Sequence, residues 1–165
     1  MKTLFLIRHA KSSWAEPGLS DFDRPLNDRG KSDAPQMAER LLQRKLLPDL
    51  LVTSTAKRAR ATCKAFAAVL QLQQIEKTDD LYLADPYQFE RVVAALPNFA
   101  NMVALFAHNP GITDYANTLT NVRVDHMPTC AIYAVAANCN SWQDFSEAEK
   151  QFLFFDYPKK QEGGK

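Results

Sequence analysis

Short apolar runs that each break off at a polar residue alternate along this chain with segments of helical periodicity. That alternation restricts the fold more than any other feature. Leu4-Phe5-Leu6-Ile7 stops at Arg8-His9, Leu50-Leu51-Val52 gives way to Thr53-Ser54-Thr55, and Met102 to Ala107 stops at His108. Runs this short and this continuously apolar read as strands buried on both faces. Between them, Ala34 to Leu46 carries Met37, Ala38, Leu41 and Leu42 at helical spacing, and a second helix is expected from Ala56 to Leu72. Pro86 opens a third helix, to Leu96, with Phe89, Val92 and Val93 on one face, and Thr113 to Leu119 follows a turn at Asn109-Pro110-Gly111. Ile75 to Leu81, Cys130 to Ala136 and Gln151 to Phe155 complete the expected strands. The pattern predicts a three-layer α/β/α sandwich with a mainly parallel central sheet. A single domain is expected over residues 1–157, followed by a polar, frayed tail over 158–165.

Composition narrows the function classes. A chain of 165 residues can bury roughly 70% of its unfolded surface and needs no staples. Twenty basic residues against nineteen acidic ones give a net charge of +1, so no nucleic-acid or membrane partner held by bulk charge is expected. The three cysteines, Cys63, Cys130 and Cys139, form neither a disulfide framework nor a zinc-ligand cluster and read as reduced thiols. Only the four-residue apolar run Leu4-Phe5-Leu6-Ile7 precedes Arg8, short of the roughly 7–15 of a signal peptide, and no run approaches the ~20 of a membrane span. A cytoplasmic protein is expected.

In parallel sheets ligands sit beyond the carboxyl ends of the strands. Here that edge receives Arg8 and His9 from the first run, Ser54 and then Arg58 from the second, and His108 from the third. Each has an ordinary alternative. An Arg-His pair can be a surface accident, Lys57-Arg58-Ala59-Arg60 a solvated helix face, and His108 a turn residue. Their convergence on one rim outweighs these readings. The set suits a phosphoryl group: arginine offers a planar fork to phosphate oxygens, a neutral imidazole can attack phosphorus, and a second can stabilise equatorial charge. With no Walker-type loop and no acidic cluster for Mg²⁺, the expected route uses neither metal nor cofactor. The long irregular stretch from Lys11 to Gly30 is expected to cover the site.

At these residues the chain resembles the histidine phosphatases of the phosphoglycerate-mutase-like fold, through Leu6-Ile7-Arg8-His9-Ala10, Ser54-Thr55-Ala56-Lys57-Arg58-Ala59 and Phe106-Ala107-His108-Asn109. Arg8-His9-Ala10-Lys11-Ser12, Asp23-Arg24-Pro25-Leu26-Asn27, His108-Asn109-Pro110-Gly111 and Met127-Pro128-Thr129 are similar to the short SixA-type branch, the phosphohistidine phosphatases. The resemblance runs from about residue 2 to 136. It implies that His9 is a transiently phosphorylated nucleophile and that Arg8, Arg58 and His108 form the phosphate pocket. Ser12 and Arg24, in the long loop, are candidates for the substrate-binding rim. Trp14 and Trp142 read as packing or rim residues, and His126 as a structural loop residue.

The pattern also departs from the family. Many members carry a Glu general acid in a Leu-x-Glu motif, and Leu83 stands in that place here, flanked by Asp80 and Asp85. An Asp before Pro86 reads as a helix cap. Ala15 stands where many mutase-like members have a phosphate-contacting Asn. A missing acid matters for the leaving group. An alkoxide benefits from a proton donor by about 10²–10⁴ in rate. Imidazole is a far weaker base, its conjugate acid having a pKa near ~6.5. The expected substrate is therefore a phosphohistidine on a signalling or phosphotransfer protein. The alternatives are a phosphatase of small phosphate esters such as sugar phosphates, and a non-catalytic phosphate-dependent binding module.

Overall fold

A computed structural model describes residues 1–160. Six strands form one sheet: β1 (Lys2–Arg8), β2 (Leu50–Ser54), β3 (Ile75–Thr78), β4 (Met102–Ala107), β5 (Ile132–Ala137) and β6 (Lys150–Asp156). They lie in the order β3-β2-β4-β1-β5-β6. The first four run parallel; β5 and β6 are antiparallel to their neighbours. Helices α1 (Asp28–Arg44) and α2 (Lys57–Leu70) cover one face, and α3 (Pro86–Ala94) and α4 (Gly111–Leu119) the other.

Strand periodicity accounts for the two cores. Leu4 and Leu6 of β1 join Phe89 and Val93 of α3, while Phe5 and Ile7, on alternate positions, join Met37 of α1 and Phe66 of α2. All four β1 side chains are fully buried. Each such side chain contributes about 1.5–3 kcal/mol relative to exposure. β1 therefore forms the middle of the molecule and holds its carboxyl end rigidly.

Among the element boundaries that differ from the sequence reading, three have a clear local cause. Helix α1 begins six residues before Ala34, because Asn27 caps it by accepting the Gly30 N–H at 2.9 Å. Gly30 and Pro35, both poor interior residues, lie inside it. Gly30 is there for space: a Cβ would run into the backbone carbonyl of Lys11. The stretch from Ile75 to Leu81 is a strand only to Thr78; the rest is a 3₁₀ turn at Asp79–Leu81. β5 begins at Ile132, since Cys130, with φ 62°, turns the chain into it.

Of the polar tail, Pro158 accepts a hydrogen bond from Arg40 at 3.1 Å and Lys160 donates to the Phe155 carbonyl at 2.8 Å. Residues 161–165 lie outside the described part. No helix among the described residues is long and apolar enough to cross a membrane.

Candidate active site

The carboxyl ends of β1, β2 and β4 lie side by side and deliver Arg8, Ser54 and Ala107, with His9 and His108 as the next residues out. Backbone bonds fix His9 from both sides: its N–H donates to Ala107 O at 3.1 Å, and its carbonyl accepts from Cys130 N–H at 3.0 Å. Thr62 ties this segment to α2. Its hydroxyl accepts the Ala10 N–H at 2.9 Å and donates to the Arg58 carbonyl at 2.8 Å. Arg58, one residue into α2, is thereby held over β1.

Arg8, His9, Ser12, Arg24, Arg58 and His108 line a single cleft of about 310 Å³. The imidazoles of His9 and His108 lie 5.2 Å apart between centroids, tilted by 50°. His9 Nδ1 is 2.7 Å from the Ala10 carbonyl, which can only accept, so the ring proton sits on Nδ1 and the lone pair on Nε2. That lone pair faces the site and receives the Arg58 Nε–H at 3.3 Å. Burial holds the His9 pKa well below its ordinary value. The charges of His108, Arg58 and Arg8 act in the same direction, against the Ala10 hydrogen bond. His108 is pushed down to about 3, first by burial and then by Arg58. Both rings are neutral at pH 7, as a nucleophile at Nε2 requires.

His108 Nε2 lies 2.7 Å from the Ser54 hydroxyl, whose oxygen also accepts the Ala56 N–H at 3.2 Å. His108 Nδ1 is buried without a partner, as is Arg8 Nε. Arg8 is braced at its other end by Nη1 donating to the Met127 carbonyl at 2.9 Å, which also accepts from Asn109 Nδ2 at 2.9 Å. The Met127-Pro128-Thr129 and His108-Asn109-Pro110-Gly111 segments are thus joined through one carbonyl. Ser12 and Arg24 meet on the rim: Arg24 Nη1 donates to Ser12 Oγ at 2.7 Å, with the guanidinium stacked 3.6 Å from the Trp14 ring centroid. Trp142, by contrast, is fully buried and donates to the Ala100 carbonyl at 2.8 Å.

Sequence reasoning missed two residues. Asp21, in a 3₁₀ turn of the long loop, reaches into the cleft and binds its cations. Arg58 Nη2 donates to Asp21 Oδ2 at 3.0 Å, Arg58 Nη1 to its carbonyl at 2.6 Å, and Arg24 Nη2 to Oδ1 at 3.2 Å. Tyr82 donates its hydroxyl to the same Oδ2 at 2.7 Å. Partial burial would raise the Asp21 pKa, but the bonds from Tyr82 and Arg58, with the charge of Arg58, bring it down to about 2. A carboxylate therefore occupies donors of the kind a phosphoryl group uses. Only the charge run Asp21-Phe22-Asp23-Arg24 hinted at this in the sequence.

Neither acid flanking Leu83 lines the cleft. Asp85 caps α3, accepting the Gln88 N–H at 2.8 Å, and Asp80 faces a separate surface hollow with Gln88 and Arg91. Leu83 itself stands on the cleft rim, 57% exposed and with φ 53°. His126 lines not this cleft but the hollow next to it. Among the described residues no cluster of three or more potential metal ligands occurs.

The SixA protein of Agrobacterium tumefaciens, assigned as a phosphohistidine phosphatase, superimposes with a TM-score of 0.80 at 28% identity, over 95% of this chain and 98% of that one. An uncharacterized chloroplastic protein of Arabidopsis thaliana is 28% identical over 153 residues, which span 87% of this chain and 70% of the relative. The 2,3-bisphosphoglycerate-dependent phosphoglycerate mutase of Mycobacterium leprae is 40% identical over 62 residues, 36% of this chain but only 25% of the mutase. The family model described as histidine phosphatase superfamily (branch 1) matches residues 4–85, the stretch holding His9 and Arg58. With the family model matching residues 4–85 and the fold shared over nearly the whole length of the SixA protein, the chain belongs to the histidine phosphatase superfamily.

Proposed function

We propose that the chain hydrolyses phosphohistidine on a protein through a transient phosphohistidine on His9. The observation that carries this reading is the pairing of a neutral His9, its Nε2 lone pair facing the cleft beside Arg58, with a site that offers no protonated carboxyl to a leaving group. His9 Nε2 forms a bond to phosphorus as the P–N bond to the substrate imidazole breaks. The departing imidazole takes its proton from solvent, which its basicity allows near neutral pH. Water then attacks the phosphorus on His9 and releases inorganic phosphate. Arg8 and Arg58 supply the charge that holds the phosphoryl oxygens. With Ser54 donating to His108 Nε2, the unpartnered Nδ1–H of His108 is a donor for an equatorial oxygen.

Asp21 does not serve as the missing acid, since its carboxyl, drawn down to about 2, is ionised at neutral pH. Leu83, on the rim, has no proton to give. Both features disfavour alkoxide leaving groups. The likeness to phosphoglycerate mutases over 62 residues favours a second reading, a phosphatase of small phosphate esters. Phosphate release from a phosphohistidine protein and from a simple alkyl phosphate, by wild type and His9→Ala, decides between them. We expect fast phosphohistidine turnover that vanishes in His9→Ala. An ester rate well above the phosphohistidine rate would overturn the assignment.

A further inference from the structure

The cleft does not end at the phosphate-sized pocket. Past Arg8, Lys11 and Thr129, which line both, it opens into a second hollow of about 390 Å³ walled by Arg29, His126 and Lys159. Its cations come from separate parts of the fold: the end of β1, the loop after it, the first turn of α1 and the segment after β6. They are therefore not the solvated face of one helix. No carboxylate among the described residues lines the hollow. Arg29 does face Asp33 at 3.5 Å, but its side chain stays 44% exposed while that of Asp33 is 12% exposed. Arg29 also stands in the first turn of α1, where the helix field favours an anion and disfavours a cation. This concentration occurs on a chain whose net charge is +1.

The phosphoryl group of the proposed substrate needs only the first pocket, so the second is free for something attached to it. We propose that this hollow docks an acidic stretch of the polypeptide that carries the phosphohistidine, its carboxylates facing Lys11, Arg29 and Lys159. The proposal rests on the phosphohistidine reading above. A polypeptide suits the site better than a small anion. The cations are spread over an open wall on exposed side chains, the form that steers and registers a charged surface rather than clamping one group.

The test uses two peptides that carry the same phosphohistidine, one flanked by Asp and Glu and one by Gln and Ser. A second pair carries a non-hydrolysable phosphonate mimic of phosphohistidine. Binding of the mimic pair and turnover of the phosphohistidine pair are measured for wild type and the Arg29→Gln/Lys159→Gln double variant. We expect wild type to bind the acidic mimic about fivefold to tenfold more tightly than the neutral one, with the preference expressed in KM rather than kcat. The preference shrinks at high salt and falls to about twofold or less in the double variant. Equal affinity of wild type for the two mimics, or a preference that survives the double substitution, overturns the docking proposal. So does inhibition by inorganic pyrophosphate that weakens in the double variant while both mimics bind alike, which would assign the hollow to a small polyanion. Loss of phosphohistidine turnover alone, with the affinity difference intact, would overturn the reaction and leave the docking standing.

Discussion

Asp21 and Leu83 are the two residues whose chemistry departs furthest from what their neighbours suggest. Asp21 is an anion holding the cations of an anion site, through Arg58, Arg24 and Tyr82. Asp21→Asn removes the charge but not the shape. We expect it to tighten inorganic phosphate binding by roughly threefold to tenfold, read as competitive inhibition, because the ligand then displaces a neutral group. Unchanged inhibition would mean that phosphate does not use the fork of Arg58. Leu83 stands on the rim with φ 53° and has no proton to donate. Leu83→Glu is expected to raise alkyl phosphate hydrolysis by about 10-fold or more while leaving phosphohistidine turnover within a factor of about two. A rise on both substrates would show that the imidazole leaving group also needs an acid. Arg8, His9 and His108 could be read as cleft candidates from the sequence because each ends or follows an apolar run, and Arg58 because it opens the helix after one. Asp21 and Tyr82 could not, since their meeting depends on the path of a loop whose ends alone are patterned.

At the scale of elements, the site depends on how closely segments approach. α4 begins at Gly111, three residues after His108, and a Cβ there would collide with the carbonyl of Ala84. That contact sets the Leu83 turn against the His108 strand end. Gly111→Ala forces backbone apart rather than bending a side chain. We expect a loss of about 2–3 kcal/mol, or roughly 5–10 °C in Tm, by calorimetry. A shift below about 1 °C would show that the turn gives way freely. Strands were the most legible elements, because β1, β2 and β4 are buried on both faces and carry unbroken apolar runs. The start of α1 was the least legible: Gly30 and Pro35 argue against a helix, and only the Asn27 cap and the crowding at Lys11 explain why it forms.

For the molecule as a whole, two neutral buried histidines make stability depend on acid. In the unfolded chain each takes up a proton near its ordinary 6.5; in the fold His9 resists it and His108 titrates only at about 3. Between those values the unfolded chain binds more protons, so the contribution is complete above pH ~6.5 and is lost as pH falls. The slope is about 1.4 kcal/mol per pH unit for each histidine involved. Asp21, brought from 3.8 to about 2, acts in the same direction at lower pH. Tm should therefore fall steadily from pH ~6.5 toward ~4, and His108→Gln should flatten that fall. A Tm constant over this range would contradict neutral buried rings.

The Asp21 carboxylate also bears on how the protein treats its own product. A group tethered beside Arg58 acts at a high effective concentration, so free inorganic phosphate must compete with a rival that never diffuses away. A phosphoryl group that arrives attached to a larger body brings added contacts that help it win; the phosphate left after hydrolysis does not. Under the proposed reaction the tethered anion would therefore weaken retention of the phosphate product more than that of the phosphorylated substrate.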